Sequence, residues 1–129
     1  MNILLGDDHL MVRAGVEQII RTLPEVVLIE EVNDGYELLS KVDSHQYDLV
    51  IMDISISGIS GLDVLQKMRH NKNMTNVLLY SFDPHKQQAM FALRQGASGY
   101  LAKNSVFEEL ATAIRRISKG GKYVSAETA

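Results

Sequence analysis

Cysteine is absent from the 129 residues, which excludes a disulfide scaffold, a thiolate zinc site and a thiol nucleophile. Any metal must then be held by oxygen or histidine. No apolar run approaches the roughly 18 residues that span a bilayer, and the opening MNILLGDDH lacks the basic start and long apolar stretch of a secretory signal. The expectation is a soluble, cytoplasmic protein. An excess of basic residues is lacking as well, the formal net charge being -3. Neutralising nucleic-acid phosphates needs a basic face, so direct DNA binding by this chain is not expected. A glycine-rich phosphate loop is also missing after the first apolar run, which argues against a flavin or nucleotide binder. What is present is a chain of one-domain length with enough apolar residues for a single core.

Apolar runs of strand length recur at Asn2–Gly6, Val26–Val32, Tyr47–Met52, Val77–Tyr80 and Gly99–Ala102. Stretches with helical spacing fill the intervals. In the first, Val12, Val16, Ile19, Ile20 and Leu23 form one stripe and Pro24 stops it. The second carries Leu38, Leu39 and Val42, the third Leu62, Leu65 and Met68, and the last Phe107, Leu110, Ala111, Ile114 and Ile117. The fourth, from about Pro84 to Gln95, clusters its apolar residues rather than striping them, which reads as a loosely packed or partly exposed helix. Five alternating β/α units predict a doubly wound parallel sheet of the flavodoxin-like order 2-1-3-4-5. The nearly all-apolar first and third strands belong at its centre, and the second, with Glu30 and Glu31, nearer an edge. The domain is read as residues 1–118, and KGGKYVSAETA, residues 119–129, as the start of a linker.

Polar residues interrupt the apolar runs at their carboxyl ends: Asp7 and Asp8, Asp53, Ser81 and Lys103. In a parallel sheet of this order the ends of strands one and three adjoin at the switch point, so Asp7, Asp8 and Asp53 converge. Close carboxylates repel by about 3–4 kcal/mol per pair at an effective dielectric of ~20. Either a raised pKa or a divalent cation must offset that, and all-oxygen ligands favour Mg²⁺ or Mn²⁺. A carboxylate beside such an ion can attack phosphorus, a lysine can bind one phosphoryl oxygen and a serine hydroxyl another. Alone, each residue has an ordinary alternative. Either aspartate of the pair could cap the following helix, Asp53 could open a turn, and Ser81 and Lys103 could be a backbone-bonded hydroxyl and a surface ammonium. His9 and His85, each at a helix start, read as surface histidines. Tyr100 reads as a core or rim aromatic.

Taken together, LLGDDH, DLVIMD, the glycine of SGISG, YS and GYLAK resemble the receiver domain of bacterial two-component response regulators over essentially the whole chain. GASGYLAK and GGKYVS look most like the NarL/FixJ (LuxR-type) subfamily. The resemblance implies that Asp53 is the phosphoacceptor and that Asp7, Asp8 and the backbone carbonyl of Ser55 join it at a Mg²⁺. It makes Lys103 the phosphoryl-binding lysine, Ser81 the switch hydroxyl and Tyr100 the aromatic that changes rotamer. It further implies a sensor histidine kinase as donor, a signalling domain rather than a turnover enzyme, and output through homodimerisation or an attached domain. In that subfamily the attached domain is a C-terminal helix-turn-helix module that binds DNA.

The chain departs from the family pattern at three places. Ile56 and Ser57 replace a usual Met-Pro pair, which predicts a more flexible loop. Phe82 is bulky where a small residue is usual, and with Asp83 is expected to alter the lifetime of the phosphoryl group. Asn104 replaces a proline that often takes a cis bond, and a trans peptide is expected there. Two rivals remain open. A phosphatase of the haloacid dehalogenase kind also uses aspartate, Ser/Thr, Lys and Mg²⁺, but its D-x-D arrangement and cap insertion do not match the adjacent Asp7-Asp8 and short chain. A phosphorylation-independent interaction module would keep the fold without the chemistry.

Overall fold

The computed structural model describes residues 1–81 and 86–125, apart from the side chains of Lys86 and Lys103. Its strands are β1 (Asn2–Gly6), β2 (Leu28–Val32), β3 (Leu49–Asp53), β4 (Asn76–Ser81), β5 (Gly99–Ala102) and β6 (Tyr123–Val124). Its helices are α1 (Leu10–Ile20), α2 (Gly35–Ser44), α3 (Gly61–His70), α4 (Lys86–Arg94) and α5 (Val106–Ser118). A 3-10 turn, Lys103–Ser105, joins β5 to α5. The sheet is parallel throughout in the order β2-β1-β3-β4-β5-β6. This is the expected flavodoxin-like order with one strand added. β2, with its half-exposed Glu30, lies at the edge as the glutamates predicted.

The added strand corrects the domain boundary placed at residue 118. Tyr123 and Val124 pair with Gly99 and Tyr100, and the buried Ser125 accepts the Ala102 N–H at 3.2 Å through Oγ. The Tyr123 hydroxyl donates to Glu109 at 2.8 Å, and the Arg116 guanidinium lies 5.1 Å from the centre of its ring. The folded unit therefore reaches residue 125. A two-residue strand carries no readable periodicity, and its pairing is set by the open edge of β5. The rest of the proposed linker, residues 126–129, lies outside the described residues.

Two apolar layers cover the sheet. One joins Leu4, Val50, Met52, Val77 and Leu79 to α2, α3 and α4. The other joins Ile3, Leu5, Ile51, Leu78, Tyr80 and Leu101 to α1 and α5. Alternate residues of each strand go to opposite layers, as the period of two requires. In α5 the buried stripe is Val106, Leu110, Ala113, Ile114 and Ile117. Phe107, expected in that stripe, is 51% exposed and packs instead over Gly15 of α1. In α4 Ala89 and Ala92 are buried while Met90 and Phe91 are exposed, in line with the partly exposed helix expected.

Local capping starts the helices beside the site. The Asp34 carboxylate accepts the Glu37 N–H at 2.8 Å to open α2. The Ser60 hydroxyl accepts the Asp63 N–H at 3.2 Å to open α3. Such caps satisfy donors that the first helical turn leaves without partners.

Candidate functional site

Strand register brings the polar strand ends together. Gly6 lies level with Met52, Asp53 with Tyr80, and Ser81 with Ala102. Asp7 thus emerges beside Asp53, Ser81 one step beyond, and Lys103 directly after Ala102. Asp7 is fully buried, Asp53 is 2% exposed and Ser81 5%; Asp8 is partly exposed. Ligand atoms of Asp7, Asp8, His9 and Asp53 all lie within 4.8 Å of one another. The Lys103 backbone follows β5 directly, while its side chain, Phe82, Asp83 and His85 lie outside the described residues.

His9 is exposed, as expected of a surface histidine, yet its ring faces the acidic cluster. Its Nδ1 lies 3.3 Å from Asp7 Oδ1, 3.5 Å from Asp8 Oδ1 and 3.5 Å from Asp53 Oδ2. His9 is the N-cap residue of α1 but makes no side-chain cap, so its imidazole is turned to the carboxylates. Neither aspartate of the pair caps that helix. Asp7 Oδ1 instead accepts the His9 N–H at 2.8 Å, which fixes the turn between β1 and α1. The adjacency of His9 to Asp7-Asp8 was the only signal in the sequence, and it does not specify where the ring points.

Tyr80 was also missed, because a tyrosine in an apolar run reads as core. Its ring is fully buried in the α1/α5 layer, and its hydroxyl donates to Asp7 Oδ2. Burial, reinforced by the charges of Asp7, Asp53 and Asp8, pushes the Tyr80 phenol far above its usual value. It is therefore a permanent donor. Arg13 adds a third contact from α1, its guanidinium donating to the Asp7 carbonyl at 3.3 Å and to the Asn33 side chain.

The loop after Asp53 is anchored despite its missing proline. The Ser55 N–H donates to Asp53 Oδ1 at 3.0 Å, and the Ile56 N–H to the Asp53 carbonyl at 3.1 Å. Ile56 is buried, and Ser57 forms a bridge to Asp34 and donates through Oγ to the Asn33 carbonyl at 3.2 Å. The backbone restriction a proline would supply is replaced by these tertiary bonds. Gly58 takes φ +87°, a left-handed turn that glycine adopts without strain. Gly61 lies against the site itself, since a Cβ there would meet the Asp53 carbonyl oxygen and the Ile54 Cα at 2.9 Å each. Lys103–Asn104 is trans, as expected.

Tyr100 is fully buried in the layer under α4, and its hydroxyl meets Gln88 Oε1 at 3.5 Å. It links β5 to α4. The three carboxylates of this cluster, all oxygen donors, suit a hard divalent cation such as Mg²⁺ or Mn²⁺. No described helix is long and apolar enough to cross a membrane.

A flavodoxin-like sheet with a buried aspartate between an acidic pair and a serine at successive strand ends defines a receiver-type signalling domain. Residues 3–115 match the response regulator receiver domain family, and the chain belongs to it. Over 123 residues it is 32% identical to the nitrate/nitrite response regulator protein NarL of Escherichia coli, covering 95% of this chain and 57% of that protein. It is 34% identical over 125 residues to the oxygen regulatory protein NreC of Staphylococcus carnosus, covering 96% and 58%. A solved LuxR-family two-component response regulator from Aurantimonas matches with a TM-score of 0.91 and 29% identity, covering 98% of this chain and 91% of that one. The chain is thus a NarL/LuxR-type receiver domain, spanning somewhat over half the length of the curated relatives it matches.

Proposed function

We propose that Asp53 accepts a phosphoryl group from the histidine of a sensor kinase in a Mg²⁺-dependent reaction, and that the new charge switches an output surface. The observation that carries this is the buried Asp53 carboxylate held within 4.8 Å of Asp7, Asp8 and His9. Burying a carboxylate among other carboxylates is costly, whereas a phosphoacceptor beside a cation site requires that arrangement.

In the transfer an Asp53 oxygen forms the new P–O bond as the donor's P–N bond breaks. The Ser55 N–H orients the nucleophile through Oδ1. Asp7, Asp8, Asp53 and the Ser55 carbonyl would hold a Mg²⁺ or Mn²⁺, which would supply charge neutralisation of phosphoryl oxygens. Lys103 and Ser81 bind others, by charge and by hydroxyl donation. Phosphorylation replaces the single charge of the Asp53 carboxylate by a phosphoryl group carrying up to two, which Ser81 meets differently before and after transfer, and that difference shifts the population of states. Tyr100 carries the change to α4 through its contact with Gln88. The role is cytoplasmic signalling, with chemistry limited to self-phosphotransfer from small donors and auto-dephosphorylation. Output runs through homodimerisation or through a C-terminal DNA-binding domain regulating transcription, a domain outside residues 1–129.

The test is intact mass after incubation with acetyl phosphate and Mg²⁺, beside Asp53→Ala and an EDTA control. A gain of one phosphoryl group (about 80 Da) that vanishes in both controls is expected. No gain from a folded, Mg²⁺-binding protein would overturn the phosphoacceptor role and leave an interaction module.

A further inference from the structure

Tyr80 stands immediately before Ser81 and is among the largest fully buried side chains. Its neighbours in the α1/α5 layer are Leu5, Ile51, Leu78 and Leu101, so packing alone would be served by an apolar residue. The hydroxyl is the part that packing does not explain. Tyr80 lies level with Asp53 on the adjacent strand, and Asp7 emerges level with Asp53 on the strand beyond. The side chain therefore reaches across two strand spacings of about 4.8 Å each to donate to Asp7 Oδ2.

We propose that Tyr80 is a positioning residue for the cation site, committing the carboxylate of Asp7 to a single orientation. With Oδ2 held by the phenol, Oδ1 is the oxygen turned to His9, whose N–H it accepts, and the carboxylate offers an atom within 4.8 Å of ligand atoms of Asp8 and Asp53. Asp7 has no exposure to solvent, so no bulk water can take over the bond if the hydroxyl is removed. Its carboxylate then loses the contact that fixes its rotation, and a rotated carboxylate holds a cation less well. Partners that orient a ligand from behind typically account for 10–100-fold in metal affinity. This role rests on the Mg²⁺ site proposed above.

The experiment is calorimetric Mg²⁺ titration of wild type, Tyr80→Phe, Asp7→Asn and the double variant, with circular dichroism confirming the fold. Tyr80→Phe keeps the ring and removes the hydroxyl alone. Its Kd for Mg²⁺ is expected to rise about tenfold or more. In the Asp7→Asn background the same change should alter Kd less than twofold, because the two residues act as one unit. An unchanged Kd in Tyr80→Phe, or an equal loss in both backgrounds, overturns the role of Tyr80 and leaves the metal site standing. Wild type that binds no Mg²⁺ overturns the metal site and Tyr80's role with it. Should Tyr80→Phe not fold, tyrosine-labelled wild type answers the question by nuclear magnetic resonance. The Tyr80 ring signals must then shift along the Mg²⁺ isotherm, and their failure to do so counts against the proposal.

Discussion

Replacing Gly61 by alanine adds one carbon at the junction of α3 with the phosphoacceptor loop. That Cβ would lie 2.9 Å from the Asp53 carbonyl oxygen, 2.9 Å from the Ile54 Cα and 3.0 Å from a methyl of Leu79. Non-bonded carbons settle at about 3.5–4.0 Å, so the start of α3 or the Asp53–Ile54 backbone must move by about 0.5–1 Å. The first two obstacles are backbone and cannot rotate away. The same movement stretches the 2.7 Å bond from the Gly61 N–H to the Ile54 carbonyl. Overpacking of this kind costs about 1–3 kcal/mol, and a weakened hydrogen bond adds up to about 1 kcal/mol. Alanine's better helix propensity returns at most about 1 kcal/mol. The net expectation is a loss of about 1–3 kcal/mol, or a Tm lower by roughly 3–10 °C for a domain of this size. Urea denaturation of both proteins measures it. Because Asp53 shares the displaced backbone, the initial rate of phosphorylation by acetyl phosphate should also fall, by about tenfold or more if the carboxylate shifts by a large part of 1 Å. Equal or greater stability in Gly61→Ala would refute the close-approach account, since the residue's backbone is not in the left-handed region.

Two further perturbations test the frame around the site. Asp34→Ala removes the cap of α2, and its stability should drop by about 1 kcal/mol; a denaturation midpoint indistinguishable from wild type would show that the cap contributes nothing. Glu30 offers a pH test. Burial alone would raise its carboxyl, but the Tyr47 hydroxyl at 3.1 Å and the Lys41 ammonium at 3.3 Å outweigh that and hold it below the ordinary 4.5. A folded pKa below the unfolded one contributes stability that is present above about pH 4.5 and lost as pH falls through the folded value. Wild type should therefore be more stable than Glu30→Gln at pH 7, with the gap closing below about pH 4.5. A gap independent of pH would mean that Glu30 acts by shape and not by charge. Tyr47, whose phenol is pushed up to about 12 by burial and then by Glu30, remains a donor across this range.

Period and chain order alone determined much of this protein. Alternating apolar runs and helical stripes specified five β/α units and the 2-1-3-4-5 order, because a parallel sheet covered on both faces imposes those patterns locally. Asp7, Asp8, Asp53 and Ser81 were legible as a candidate site for a related reason: a polar residue at a strand's carboxyl end is visible without knowing its neighbours. Other features are decided by contacts between residues distant in the chain. Tyr80 belongs to the site only because β4 lies beside β3 and β3 beside β1, which puts a hydroxyl from a core position onto Asp7, 73 residues away. The imidazole of His9 faces the carboxylates through a side-chain rotation that adjacency to Asp8 does not dictate. The loop at Ile56-Ser57, expected to be loose for want of proline, is tied to Asn33 and Asp34 across the sheet top. Tyr123 and Val124 become a strand because β5 leaves an edge for them, although two residues carry no period of their own. Local pattern encodes how each segment buries its face, and only the folded arrangement determines which polar atoms then meet.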